Sequence, residues 1–263
     1  MPFASYAVDI GVFNVGSKGQ ILATTTTAWA RSAEGSCSFE DITFSGSHEE
    51  GRFAQATGLT WCCGRSIRLL VGRITADIEA GFSVSIGLEA PMWFPIEREE
   101  HAGLKLFKPR FREEGGSEWY LQSGAAATIK AISIGTMLID LLVSKLPEAK
   151  FTTAPSSEPN GTIILYEAFV VGEGKFKMPL PSGAVRAENE WDAFTASLAW
   201  GAINCEFEIP HSIRSRELHK AGSSDSRIAS VWQVLASLTT TRPLISGPPD
   251  CQIVGVCCNA AGL

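Results

Sequence analysis

The sequence predicts an α/β fold in which helices flank a mixed sheet of five strands. Short stretches rich in β-branched residues near the N-terminus predict an antiparallel meander of three strands. An apolar stripe at helical spacing within residues 53–80 predicts a helix that crosses to a fourth strand at residues 82–91. A second long helix leads in the same way to a fifth strand at residues 162–171. Such crossovers join parallel strands, so we expect strands four and five to run parallel to the first.

Length and composition fit one folded domain. The chain has 263 residues, of which 45% are hydrophobic and 19% are charged, so it can build a sizeable core. We expect a single domain with an insertion at about residues 92–124 and a C-terminal extension at about residues 205–263. The net charge of −6 argues against a protein that coats nucleic acid nonspecifically, because that binding needs many Lys and Arg contacts to phosphate.

The cysteines and the apolar runs indicate a cytoplasmic protein that is not in a membrane. Seven cysteines, with two adjacent pairs and no CxxC motif, fit neither a disulfide framework nor a zinc ribbon, so we expect reduced thiols. The N-terminus lacks a basic region followed by an apolar segment, which argues against a signal peptide. The longest apolar run contains Lys130 and Asp140, which is typical of a buried helix and not of a membrane span.

The predicted central strand, residues 6–14, carries one carboxylate, Asp9, among apolar side chains. A buried charge is costly unless something compensates for it. Three later segments each offer an acid beside an apolar run, at Glu89, Glu167 and Asp192. We therefore expect these four acids to meet around a divalent metal ion.

The N-terminal half is predicted to alternate strands with one long helix. A turn at residues 16–19 leads into strand two at residues 20–31, and strand three is predicted at residues 38–45. A helix follows over residues 53–80, which places Trp61-Cys62-Cys63 within it. Strand four then ends before Pro91, so that Glu89 lies at its carboxyl end, where ligands gather in open parallel sheets.

The predicted insertion contains a basic strip of four cations interleaved with aromatic residues. Basic side chains contact phosphates and aromatic rings stack on bases, so this strip is a candidate nucleic-acid contact. The alternative is a solvated loop whose phenylalanines pack into the core. The cations of the strip are Lys105, Lys108, Arg110 and Arg112, and the aromatic residues are Phe107 and Phe111.

The C-terminal half is predicted to contain a helix over residues 125–145, the fifth strand with Glu167 inside it, and a helix over residues 188–204. Asp192 stands near the N-terminus of that last helix, where the helix dipole favours a carboxylate whether or not it binds metal. Beyond this helix we expect an irregular stretch, then a further helix at residues 227–237 and a short strand at residues 252–258.

Four short motifs make the sequence resemble the RNase H-like superfamily, and most closely its family of predicted RNase H-like nucleases. The motifs are VDIG (8–11), IGLEAP (86–91), LYEAF (165–169) and WDAFTASLAW (191–200), and the resemblance covers about residues 5–205. It implies an RNase H-like fold and a metal-dependent nuclease that hydrolyses phosphodiester bonds in nucleic acid. Holliday-junction resolvases of this fold carry D-x-x-D-A-L in the last helix, whereas this chain has Asn189 at the first acidic position.

The resemblance also implies roles for the acids. Asp9, Glu89 and Asp192 would bind two Mg²⁺ or Mn²⁺ ions, and Asp9 would bridge them. Glu167 would hold a metal or orient the attacking water. Lys105 or Lys130 would offset charge on the phosphate in the transition state.

Two alternatives from other functional classes stay open. One is a non-catalytic binding module that keeps the fold without the metal, which Asn189 and the negative net charge favour. The other is a nucleotide-binding protein of the actin and sugar-kinase type, in which the turn around Ser17 would touch phosphate. Each acid taken alone is also explained as a cap, a turn former or an ion-pair partner. The sequence has no HExxH, GxSxG or Walker motif.

Overall fold

The computed structural model contains four helices and fourteen strands within the residues that it describes. The helices are α1 (Ile67–Glu79), α2 (Ser123–Lys145), α3 (Glu188–Asn204) and α4 (Val231–Leu238). The strands are β1 (Phe3–Asp9), β2 (Asn14–Val15), β3 (Ile21–Leu22), β4 (Ala28–Ala33), β5 (Arg52–Ala56), β6 (Leu59–Gly64), β7 (Ser83–Leu88), β8 (Trp93–Ile96), β9 (Lys150–Thr152), β10 (Thr162–Ala168), β11 (Ile213–Glu217), β12 (Arg227–Ser230), β13 (Ile245–Ser246) and β14 (Ile253–Cys258). The described residues are 2–10, 14–15, 21–22, 27–33, 52–56, 59–64, 66–96, 123–154, 161–168, 188–204, 213–217 and 227–258.

The main sheet is mixed, with an antiparallel half and a parallel half that meet at β1. Its strands lie in the order β11-β14-β10-β7-β1-β4-β6-β5, and β9 and β13 are attached beside β10. Strand β1 pairs antiparallel with β4 and parallel with β7. Strand β7 pairs parallel with β10, which in turn pairs parallel with β14. The predicted α/β class with a mixed sheet and later parallel strands is confirmed.

The prediction of five strands is wrong, because the main sheet contains ten strands within the described residues. Strand β14 pairs with β10, and β11 pairs antiparallel with β14 beyond it, so the C-terminal segment supplies part of the difference. The stretch at residues 205–226, expected to be irregular, thus contains a strand. The helix predicted over residues 227–237 is correct only in part. Its first four residues form β12, which pairs with β8, and the helix α4 starts at Val231.

The helix predicted over residues 53–80 is correct only in its second half. Residues 52–64 contain the antiparallel hairpin β5–β6, and Trp61-Cys62-Cys63 lies in β6. Helix α1 begins after Ser66, whose side chain accepts a hydrogen bond from the amide of Leu69 at 3.3 Å. The apolar stripe begins only after this cap. The residues of β6, which precede the cap, pair antiparallel with β4. Tertiary pairing therefore decides the structure of the preceding residues.

Helices α1, α2 and α4 pack on one face of the sheet. Strand β1 directs Tyr6 and Val8 into the core on that face, together with Leu70 of α1, Leu138 of α2 and Trp232 of α4. Alternation along the strand directs the remaining side chains of β1 to the other face.

Helix α3 covers that other face and packs chiefly against β1 and β4. Ser32 donates a hydrogen bond to Ser197 at 3.0 Å, and Trp200 stacks on Tyr166 with ring centroids 4.1 Å apart. Residues 193–201 are all buried, which is why this helix shows no single apolar stripe. The bounds predicted for α3 are confirmed.

Helix α2 is the one helix among the described residues that is long and apolar enough to cross a membrane. Several of its apolar side chains are buried in the protein core: Ala131, Ile134, Leu138, Ile139 and Leu142. A buried core helix passes the same test of length and composition. Ile129 and Met137 of the same helix are exposed, so burial accounts for only part of the apolar run.

Several predicted features lie outside the described residues. These are the turn at residues 16–19 with Ser17, the third strand at residues 38–45, and the basic strip of Lys105, Lys108, Arg110 and Arg112. Most of the predicted insertion also lies there, although its first residues form β8.

Candidate metal centre

Asp9 and Glu89 lie side by side at the carboxyl ends of two neighbouring parallel strands. Asp9 is the last residue of β1, and Glu89 directly follows β7. Val8 pairs with Leu88 in the parallel register, and the Glu89 amide donates to the Val8 carbonyl at 2.9 Å. Neighbouring strands in a sheet are about 4.8 Å apart, so the two carboxylates start from adjacent positions.

Both acids also belong to the same face of the sheet. Val8 and Ile10, on either side of Asp9, belong to the core beneath α1 and α2, and so do Leu88 and Ala90 on either side of Glu89. Alternation along β1 directs Asp9 to the face that α3 covers. Glu89 follows β7 in a turn, in which the Ala90 amide donates to the Leu88 carbonyl at 2.8 Å. Because its neighbours on both sides belong to the core, the side chain of Glu89 is directed away from that core. Both side chains are half-buried. A cation at this edge would therefore be partly shielded from water, which strengthens its attraction to the carboxylates.

Glu167 belongs to the opposite face. It pairs with Leu88 in the parallel register of β10 and β7, so its side chain is directed with that of Leu88 toward the core beneath α2. Glu167 is fully buried, and its Oε2 accepts a hydrogen bond from the amide of Met92 at 2.8 Å. The sheet thus separates this carboxylate from the face that carries Asp9.

Asp192 is the fifth residue of α3 and is half-buried. Its helix lies on the face of the sheet to which Asp9 is directed, and the residues after it, Ala193 and Phe194, are buried. Within the described part of the chain, no group of three or more His, Cys, Asp or Glu side chains is arranged to hold a metal ion. The structure thus brings Asp9 and Glu89 to adjacent positions but does not gather all four acids into one cluster.

The pair of carboxylates fits Mg²⁺ better than a metal that needs a closed protein cage. Mg²⁺ and Mn²⁺ prefer hard oxygen ligands, and Mg²⁺ is commonly held by one or two carboxylates together with waters and substrate phosphates. Asp9 and Glu89 supply such a pair. Lys130, one of the predicted phosphate-neutralising cations, belongs to α2, which packs on the opposite face of the sheet.

A buried polar cluster on the face of the sheet beneath α3 joins β10 to β1 across β7. The Tyr166 hydroxyl donates to the carbonyl of Tyr6 at 2.9 Å and shares a hydrogen bond with Ser5 at 3.2 Å. Burial raises the pKa of Tyr166 well above its usual range, while the hydrogen bond to Ser5 acts in the opposite direction. The signal was present in LYEAF, where a tyrosine occupies an otherwise apolar strand. The ring of Tyr166 also stacks on Trp200, so the same residue contacts the helix that carries Asp192.

Comparisons of the chain with protein-family models, with curated proteins and with solved structures found no match in any of the three.

Proposed function

We propose that this protein is a divalent-metal-dependent nuclease of the RNase H-like kind, which hydrolyses phosphodiester bonds in nucleic acid. The observation that carries the proposal is the pair Asp9 and Glu89, at adjacent carboxyl ends of parallel strands and on one face of the sheet. Ligand sites of open parallel sheets form at that edge. Substrates that carry phosphate need a cation between them and two carboxylates.

The arrangement of the sheet supports the RNase H-like part of the proposal. The resemblance implied a central first strand with antiparallel neighbours on one side and parallel neighbours on the other, which is the order β6-β4-β1-β7-β10. Helix α1 precedes β7 and α2 precedes β10, and both pack on one face. Helix α3, which carries the D-A-F motif, packs on the other face. Among the described residues, the sheet has five additions to this arrangement, namely β5, β9, β11, β13 and β14.

The chemistry assigns separate tasks to the residues. When bound, Mg²⁺ supplies a Lewis acid for a phosphoryl oxygen and for the attacking water. Asp9 and Glu89 would bind the ion, and Asp192 would approach from α3 when substrate and ion are present. The half-buried position of the two strand acids would exclude part of the bulk water from the ion. The basic strip that begins at Lys105 would contact phosphates of the nucleic-acid backbone.

Mn²⁺ binding tests the proposal without requiring the right substrate. We expect the wild-type protein to bind Mn²⁺ in calorimetry or electron paramagnetic resonance. Asp9→Asn and Glu89→Gln should each weaken binding by at least about tenfold, because each removes a carboxylate ligand. Asp140→Asn is the matched control, since Asp140 on α2 only accepts a hydrogen bond from the Thr240 amide at 2.9 Å.

Hydrolysis is the second measurement. Single-stranded, duplex and junction substrates should be cleaved by the wild-type protein with Mg²⁺ or Mn²⁺, and Asp9→Asn should abolish cleavage while its circular dichroism spectrum is unchanged. Cleavage that continues in Asp9→Asn would remove this residue from the mechanism. A wild-type protein that binds no Mn²⁺, alone or with nucleic acid, would contradict the proposal.

A non-catalytic nucleic-acid-binding module is the second candidate. One observation favours it, namely that no three-acid metal group is present in the described part of the chain. Asn189, at the position of the first acid of the resolvase motif, is in keeping with it. Binding of an oligonucleotide in the presence of a chelator, with no cleavage after Mn²⁺ is added, would identify this function.

A further inference from the structure

The chain that follows β7 is anchored to three different elements of the fold. The Pro91 carbonyl accepts a hydrogen bond from Thr128 of α2 at 3.1 Å. The Met92 carbonyl accepts one from the amide of Val231, the first residue of α4, at 2.8 Å. The Met92 amide donates to Glu167 of β10 at 2.8 Å. Glu89 lies at the start of this segment. Its amide donates to the Val8 carbonyl at 2.9 Å, and the three anchors hold the chain that follows it.

Glu167 occupies a position where packing alone would favour an apolar residue. Ile163 and Leu165 precede it on the same face of β10, and both are buried in the core. A fully buried carboxylate at the next inward position is costly unless hydrogen bonds compensate for it. The bond from the Met92 amide is such compensation, and it couples β10 to the segment after β7.

We propose that Glu167 is a positioning residue, which acts on the proposed metal centre by holding residues 89–92 so that Glu89 stays beside Asp9. This inference rests on the proposed function. It replaces a role for Glu167 as a metal ligand, because the register with Leu88 directs its carboxylate to the face away from Asp9. Glu167 touches neither the metal nor the substrate in this arrangement.

Two substitutions of similar size separate the possible roles. Glu167→Gln keeps an oxygen that accepts from the Met92 amide, whereas Glu167→Met removes the acceptor. Amide hydrogen exchange over residues 89–93 reports the anchor without any metal, and Mn²⁺ affinity reports its effect on the site. We expect Glu167→Gln to match the wild type in both measurements. We expect Glu167→Met to raise exchange in this segment about tenfold or more and to weaken Mn²⁺ binding about 10–100-fold.

The other outcomes each overturn the inference in a recognisable way. If Glu167→Gln loses Mn²⁺ binding as Asp9→Asn does, Glu167 is a ligand. If Glu167→Met lowers only the melting temperature, and exchange and affinity stay unchanged, its role is merely structural. If the wild-type protein binds no Mn²⁺, the proposed function fails first, and that failure is visible before any variant of Glu167 is made.

A third variant covers the case in which Glu167→Met does not fold. Glu167→Asp keeps the carboxylate but withdraws it by one methylene, which lengthens or breaks the bond to Met92. In this variant we expect amide exchange over residues 89–93 to be faster than in the wild type. We expect its Mn²⁺ affinity to lie between that of the wild type and complete loss of binding. Wild-type values in both measurements for Glu167→Asp would overturn the positioning role.

Discussion

The ring of Tyr166 lies directly against the backbone of Gly87 on the neighbouring strand. A methyl group built on Gly87 would stand 2.3 Å from Cε2 of Tyr166, which is closer than any real contact between carbon atoms. Only a residue without a side chain therefore lets the tyrosine reach across β7 to the Tyr6 carbonyl. The IGLEAP motif thus contains a glycine that the polar cluster beneath α3 requires.

Substituting Gly87 tests this close approach. We expect Gly87→Ala to lower the free energy of unfolding by about 1–3 kcal/mol, because the ring must move and its stacking on Trp200 must change. Urea unfolding monitored by tryptophan fluorescence measures the change.

Gly72 provides the matched control for this substitution. It lies exposed within α1, and a methyl group there would meet nothing within 4 Å. Gly72→Ala should stabilise the protein by about 0.5–1 kcal/mol, because alanine favours the helix. Equal effects of the two substitutions would show that the contact with Tyr166 is unimportant.

Burial of Tyr166 predicts a loss of stability at high pH. Its pKa is raised in the folded protein, whereas in the unfolded chain it titrates near pH 10. Below about pH 10 the hydroxyl is protonated in both states and its contribution to stability is constant. Above that pH the unfolded chain loses this proton first, so the free energy of unfolding should fall by up to about 1.4 kcal/mol per pH unit.

Tyr166→Phe isolates this effect from the other groups that titrate at high pH. The variant loses two hydrogen bonds and should be less stable at neutral pH by roughly 0.5–1.5 kcal/mol per bond. Between pH 9 and pH 11, however, its stability should fall less steeply than that of the wild type in urea titrations. Parallel curves for the two proteins would mean that Tyr166 ionises as easily folded as unfolded.

The sequence indicated both strands that carry Asp9 and Glu89, but the bounds of the first were wrong. It was predicted over residues 6–14, whereas β1 is Phe3–Asp9, so Asp9 ends the strand and does not lie inside it. Each strand is a short apolar run, and the second is bounded by Pro91, which cannot continue a strand in the middle of a sheet. Parallel pairing then follows from the intervening helix, and parallel pairing brings the two carboxyl ends together. The expectation that these two acids bind metal stays a prediction.

The face to which Glu167 is directed was not accessible from the sequence. A shift of one residue in the register of a strand moves every side chain to the other face. The register of β10 against β7, in which Glu167 pairs with Leu88, arises only from the tertiary packing of both strands. The LYEAF motif therefore indicated that Glu167 lies near the edge of the sheet. It did not indicate the face to which the side chain is directed.

The hairpin β5–β6 was missed for a related reason. Its residues lack both strict alternation and a helical stripe, so local pattern does not decide between helix and strand. Strand β4 offers an edge, and pairing between Ala30 and Cys63 satisfies backbone groups that a helix would satisfy internally. The sequence likewise did not indicate that Asp77 is the buried partner of Arg31, because the two residues are 46 positions apart in the chain.

Arg31 and Asp77 form a buried ion pair whose disruption should be costly. The guanidinium Nε lies 2.6 Å from Oδ2 of Asp77 and Nη2 lies 2.9 Å from Oδ1, and the Tyr6 hydroxyl donates to the same carboxylate. Asp77→Ala leaves a buried cation without its partner and should lower the free energy of unfolding by about 3–5 kcal/mol. Urea unfolding measures this loss.

Removing both charges together should restore most of the stability lost in the single variants. In the double variant Arg31→Met with Asp77→Leu, no charge remains buried and two apolar side chains of similar size fill the space. Glu79→Ala is the control on the same helix, since Glu79 is exposed and its replacement should change stability by no more than about 0.5 kcal/mol. A loss below about 1 kcal/mol in Asp77→Ala, or a double variant no more stable than either single one, would show that the pair does not act as a buried unit. In that case the bidentate contact and the position of Arg31 over the Phe82 ring, 5.4 Å from its centroid, would contribute little to holding α1 on the sheet.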